Sequence, residues 1–246
     1  MKITKELLKE KGVCVDGYRA FLEEYPEKKF PDGVEYQELL DVCAEKNWGY
    51  GVWLLNKFGP TNEIREIEGD LIAEKSIIFA GQIKVSGGIK AGGYIKAGGY
   101  IEAGGYIETG GGIKAGGGIK AGGGVKAGGG IKAGWCIKAG YSIEAGWCIK
   151  AGYSIEAGEG IEAGYSIEAG GCIEAGWGIK AGCSIEAGEG IEAGRYIEAG
   201  WGIEAGEEFG IYAGICCKIT DHKFRKIIAA ERPKNIMCGE FEEKKA

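Results

Sequence analysis

The chain has 246 residues, 45% of them apolar and 27% charged, which places it among soluble globular proteins. Its 49 glycines stand beside only four prolines and follow no G-X-Y triplet, so it is not a collagen. A net charge of -6 gives no general attraction to nucleic acid or to an anionic membrane, and neither is expected as a direct partner.

Residues 1–66 contain no repeat and predict an α-helical domain. Thr4 is placed to cap a short helix ending at Gly12, and Asp16 to cap a second over YRAFLEEY. YQELLDVCAEK and VWLLNKF carry apolar residues at helical spacing, and Phe21, Leu22, Leu39, Leu40, Trp53, Leu54 and Leu55 supply the core of a small bundle. Such a domain serves as a cap over the open end of the repeat region or as a recruitment module. The opening MKITKELLKEKG lacks the apolar core of a secretory signal, and no run of apolar residues is long enough to span a bilayer, so a cytoplasmic protein is expected. The nine cysteines, an odd number, are then expected as free thiols.

From Leu71 an aliphatic residue or Phe209 recurs at every sixth position as far as Ile215, in units reading I-(K/E)-A-G-x-x. A six-residue period does not fit a helix of 3.6 residues per turn, and so much glycine would destabilise one. In a strand the Ile and the Ala two places on share a face, while the Lys or Glu between them points to water. The glycines are expected to supply positive φ at tight corners. The predicted fold class is therefore mainly β: a single-stranded parallel β-helix, or β-solenoid, over residues 67–215. A short β cap and a charged tail, GEFEEKKA, occupy 216–246. Three hexads per coil make a triangular prism of 18 residues per turn and about eight coils. A two-sided coil of 12 residues is the alternative, favoured by Trp135-Cys136 and Trp147-Cys148 alternating with Tyr141-Ser142 and Tyr153-Ser154.

The stretch GDLIAEKSIIFAGQIKVSGGIKAGG at 69–93 resembles bactofilin-type polymer-forming proteins, which implies a self-assembling structural role. The hexad more distantly resembles the hexapeptide-repeat acyltransferases, in which a His activates the acceptor at a cleft between subunits. In those enzymes a small residue precedes the aliphatic by two places, whereas here Ala comes two places after it. The chain has one His, His222, outside the repeat, with Asp221 beside it. No catalytic residue, cofactor or metal site is expected. Cys136, Cys148, Cys172 and Cys183 form no CxxC pair, and the vicinal Cys216-Cys217 would point to opposite faces of a strand.

Two patterns point outward. The residue after each aliphatic is Lys in nine of twelve steps from Lys84 to Lys150, and Glu in eight of nine from Glu156 to Glu204. Stacked like charges repel by roughly 1 kcal/mol per pair in water. An antiparallel second copy, a basic protein partner or simple hydration would offset this. Large rings, Trp135, Tyr141, Trp147, Tyr153, Tyr165, Trp177 and Trp201, stand at the corners of the later hexads, and Trp and Tyr dominate interface hot spots. With Glu156, Glu168, Glu174, Glu186, Glu192 and Glu204 they form the candidate binding set. The expected function is a non-enzymatic scaffold that binds another protein, such as an inhibitor of a nucleic-acid-handling protein that mimics DNA. A homodimer or higher oligomer is also open.

Overall fold

The computed structural model describes residues 1–46, 48–215, 222 and 225–244. The chain opens with β1 (Lys2–Ile3), α1 (Lys5–Glu10) and α2 (Val15–Glu24), followed by β2 (Val34–Glu35), which pairs antiparallel with β1. Then come α3 (Tyr36–Glu45) and α4 (Tyr50–Phe58). Thr4 caps α1 as expected, accepting from the Leu7 amide. The second helix begins before its polar signal: Cys14 Sγ accepts from the Gly17 amide, and Asp16 sits inside the first turn rather than at the cap.

Short strands succeed one another at six-residue intervals, from β3 (Ile64–Ile67), β4 (Leu71–Ala73) and β5 (Ile77–Phe79) through to β26 (Ile203–Glu204). They build three parallel sheets, headed by β3, β4 and β5, here faces 1, 2 and 3. From β3 to the strand at Ile185–Ala187, each pairs in register with the strand 18 residues on, as Ile113 with Ile131, Lys114 with Lys132 and Ala115 with Ala133. The predicted parallel β-solenoid is thus observed, with three hexads per coil and eight complete coils between β3 and β26. The 12-residue coil is excluded. A Trp/Tyr alternation by single hexads also alternates over three hexads, so it carried no information about coil size. Ile and Ala of every hexad are buried in one continuous core, where branched side chains from three walls fill a narrow prism.

Repeat glycines do not take the positive φ expected of them; that conformation is confined to Gly12, Gly33, Gly59, Gly69, Gly214 and Gly239 among the described residues. Their role is steric. A Cβ on Gly134 would lie 2.0 Å from the carbonyl oxygen of Gly116, and one on Gly152 2.0 Å from that of Gly134. From Gly92 onward, coils about 4.8 Å apart leave no room for a side chain in this column; Ser86, just before, is the exception, its Oγ accepting from the Gly69 amide. The same position in the first coil has no preceding coil, and there Glu74 and Ala80 are accommodated.

The hexad frame does not run on to Ile215. Two extra residues, within Glu207–Gly210, shift the phase, so that Ile211 is 1% exposed while Phe209 and Ile215 are each 45% exposed. Accordingly β27 (Ile211–Ala213) continues face 1. Then β28 (Lys226–Ala229) continues face 2, β29 (Ile236–Cys238) pairs with β27, and β30 (Glu240–Glu243) pairs with β28. The charged segment EFEE is therefore a strand and not a tail. Cys216, Cys217 and Asp221 lie outside the described residues.

The helices form their own core around Leu40, Phe21 and Leu54, which continues into Ile78 and Ala80 of the first coil. Ile78 stands at the outward position of β5 and is nonetheless buried, because α3 and α4 lie against the outside of face 3 there. Gln37 of α3 also satisfies the free edge of β5: its Nε2 donates to Ile78 O at 2.8 Å, and its Oε1 accepts from the Ala80 amide at 3.0 Å. The side-chain amide stands in for the peptide unit of an absent strand. Edges left unpaired would template further strands.

Gly152→Ala should lower the free energy of unfolding by about 1–3 kcal/mol or more, whereas Gly202→Ala, with nothing within 4 Å, should leave a urea titration nearly unchanged. Gln37→Ala should speed hydrogen exchange at the Ala80 amide by about tenfold or more, the factor set by roughly 1.4 kcal/mol for a lost hydrogen bond. Unchanged protection would remove Gln37 from the edge-capping role.

Candidate interaction surface

An 18-residue coil sorts the outward residues into three columns. Face 1 carries Glu66, Lys84, Glu102, Lys120, Lys138, Glu156, Glu174 and Glu192. Face 2 carries Lys90, Glu108, Lys126, Glu144, Glu162, Lys180 and Glu198. Face 3 carries Lys96, Lys114, Lys132 and Lys150, then Glu168, Glu186 and Glu204.

Part of the repulsion expected from the hexad pattern is therefore absent. Lysines and glutamates alternate along much of faces 1 and 2, and partners one coil apart meet: Lys84–Glu66 at 3.2 Å, Lys120–Glu102 at 3.0 Å, Lys90–Glu108 at 3.4 Å and Lys126–Glu144 at 2.9 Å. Lys138–Glu156 closes the series on face 1. Exposed pairs of this kind contribute only about 0.2–1 kcal/mol each, but they remove like-charge contacts. Reading the sequence at i and i+18 instead of i and i+6 exposes this compensation.

Besides the like pairs Lys120/Lys138 on face 1 and Glu144/Glu162 on face 2, two longer stretches keep one sign. On face 1 the acidic run continues past Glu156 through Glu174 and Glu192, along a shallow groove of about 370 Å³ that ends at the exposed Ile215. On face 3 the signs are segregated, and among the described residues Lys150–Glu168 at the junction is the one ion pair that joins neighbouring coils of that column. The lowest lysine of the column is not free: Lys96 is 4% exposed under α4, its Nζ donating to Asn56 Oδ1 at 3.3 Å and Val52 O at 3.4 Å.

The rings divide by corner. Trp147, Tyr165 and Trp201 lie on the corner between faces 2 and 3, Trp135 and Tyr153 between faces 3 and 1, and Tyr141 and Trp177 between faces 1 and 2. All seven are exposed, Trp201 at 71%. Column stacking accounts for some of them: Tyr100 meets Trp135 at 6.0 Å, Trp135 meets Tyr153 at 6.1 Å, and Tyr106 stacks on Tyr141 at 6.0 Å. Trp177 packs against the Arg195 guanidinium at 5.0 Å. The sequence-derived set is thus split. Glu156, Glu174 and Glu192 share face 1, Glu168, Glu186 and Glu204 share face 3, and only the Trp135/Tyr153 corner borders both. Ile215 and the basic half of face 3 were not in that set.

Elsewhere, His222 Nδ1 lies 2.6 Å from Glu240 Oε1 on an exposed surface near the C-terminal end. The seven described cysteines are free. The Cys172 thiol donates to Glu189, which raises its pKa, with partial burial adding to the effect. Among the described residues no helix is long and apolar enough to cross a membrane.

Residues 1–48 match the family described as YdhT N-terminal domain, a match that covers β1 through α3 and leaves the solenoid unassigned. No curated protein and no solved structure matches the chain.

Burial under α4, with Lys114 nearby, pushes the Lys96 ammonium down from 10.5 to about 8. Between those two values the unfolded chain holds the proton and the folded chain does not, so this group makes stability rise with pH from about 8 to 10.5. Lys96→Met should therefore raise stability at pH 7, with a gain that shrinks above pH 8, as read by urea titrations at pH 7 and pH 9. A destabilised Met variant at pH 7 would show that the contacts to Asn56 and Val52 outweigh the burial cost.

Proposed function

We propose that the protein is a non-enzymatic scaffold that binds another protein through the acidic part of face 1, Glu156, Glu174 and Glu192, bordered by the Trp177 and Tyr153 corners. The observation that carries this reading is the coincidence of three features on one rigid wall. These are a carboxylate column, Glu156, Glu174 and Glu192, that runs on past the last lysine of the column, Lys138, exposed rings on both borders, and an exposed aliphatic, Ile215, at its end. Exposed aromatic and apolar groups beside a run of like charge are features of binding surfaces.

A partner that fits is basic. Carboxylates about 4.8 Å apart along the face 1 column compare with one phosphate per about 3.4 Å along a single strand of duplex DNA. This supports a nucleic-acid-handling protein as the target and inhibition by mimicry as the mode. End-to-end assembly of the bactofilin kind fits less well, because Gln37 occupies the edge of β5 and the acidic β30 lies at the other end of face 2. Acyl transfer fits least, because the single His is paired with Glu240 on an exposed surface.

A photo-reactive residue in place of Trp177 should crosslink one protein in the native cell, whereas one in place of Lys126 on face 2 should not. Glu174→Lys with Glu192→Lys should weaken the purified complex at least tenfold, and duplex DNA should compete for the partner. Crosslinking independent of position, or binding indifferent to both reversals, would overturn the reading.

A further inference from the structure

Face 3 carries a pattern that the docking role of face 1 does not use. The helices cover its first two coils, through Ile78 and Lys96, and among the described residues nothing covers the six coils from Lys114 to Glu204. Three lysines, Lys114, Lys132 and Lys150, occupy the lower half of that stretch, and three glutamates, Glu168, Glu186 and Glu204, the upper half. The sign changes at the midpoint. A column of this form is complementary to its own reverse and to no uniformly charged surface.

We propose that face 3 binds a second copy of the chain, antiparallel, about a twofold axis lying in the interface between the Lys150 and Glu168 coils. That operation sets Lys114 opposite Glu204 of the second copy, Lys132 opposite Glu186 and Lys150 opposite Glu168, each pair occurring twice. Side-chain sizes at the corners agree independently. On the corner between faces 2 and 3, Trp201 falls opposite Gly111 of the second copy, and Trp147 opposite Tyr165. On the other corner Tyr153 falls opposite Gly171 and Trp135 opposite Glu189. Three of these four contacts place a large ring against a glycine or another ring. The helical domain of each copy then overhangs the point where the other's face 3 sheet ends at β26, since this sheet has eight strands where faces 1 and 2 have ten.

The uncovered stretch is about 29 Å tall and about 18 Å wide, roughly 500 Å² per copy. That reaches the lower bound of specific interfaces, about 1,000 Å² in total, so the dimer is reversible and sensitive to salt. The pairing covers the Tyr153 corner, which also borders face 1, but leaves Glu156, Glu174, Glu192 and Trp177 outside it, so it needs no partner at face 1.

Sedimentation velocity of the full chain should show a dimer at low ionic strength that dissociates at least tenfold more readily in high salt. Lys114→Glu with Lys132→Glu makes the face acidic apart from Lys150, and Glu186→Lys with Glu204→Lys makes it basic apart from Glu168; each variant alone should be monomeric. Mixed in equal amounts they should form a heterodimer, and a chain carrying all four changes should dimerise with itself again. Lys180→Glu on face 2 should change nothing. The fourfold variant guards against misfolding, since recovery requires a folded face. A wild type that is monomeric at all salts, a dimer indifferent to the reversals, or a mixture that stays monomeric would each overturn the proposal. A monomer whose face 3 reversals abolish capture of another protein would also overturn it. Partner binding measured with the Glu174 and Glu192 variants is unaffected by any of these results, so the two readings fail separately.

Discussion

Everything in this molecule depends on how closely one coil lies on the next. Backbone hydrogen bonds between parallel strands draw the coils to about 4.8 Å, and at that spacing a carbonyl of one coil occupies the place where a Cβ of the next would be. The glycine column from Gly92 to Gly206 is the consequence, and with it the regular register that stacks Ile on Ile and Ala on Ala. A core of one branched and one small residue per hexad is narrow, and each coil buries its apolar pair only because its neighbours do. The rigidity that results turns a periodic sequence into fixed columns of charge on the surface.

Much of this was legible in the residues. The inward Ile and Ala and the outward Lys or Glu came from alternation along a strand, and the burial of the whole series agrees. The reason for the glycines was not legible, because corner chemistry and close coil contact make the same demand on composition and differ only in backbone angle. Phe209 and Ile215 were misplaced for a related cause: an aliphatic or aromatic residue in the right frame looks like a repeat until the two-residue shift before Ile211 is seen. The strand at Glu240–Glu243 was hidden because edge strands can be charged on both sides.

The candidate surface was legible in kind but not in arrangement. Rings and carboxylates were identified singly, yet their grouping needs the coil length, and six-residue bookkeeping merges three faces into one. Viewed by faces, the apparent basic and acidic ends dissolve into alternating pairs on most of faces 1 and 2, an acidic wall on face 1 and a divided column on face 3. The helical domain was legible as helices but not in its manner of attachment. Gln37 and the apolar side of α3 do not close the prism like a lid; they engage the edge and the outer wall of one sheet, and so decide how much of face 3 remains open.

The repeat has two periods, and they tolerate change differently. Loss or gain of a single hexad would preserve the interior, since every step presents the same Ile and Ala, but it would rotate all later residues by one wall relative to the earlier ones and mismatch the ion pairs that span the lesion. Only changes of 18 residues conserve both the interior and the surface. Length variation among natural versions of this chain should therefore come in whole coils wherever the exterior is under selection, and in single hexads wherever only the fold is.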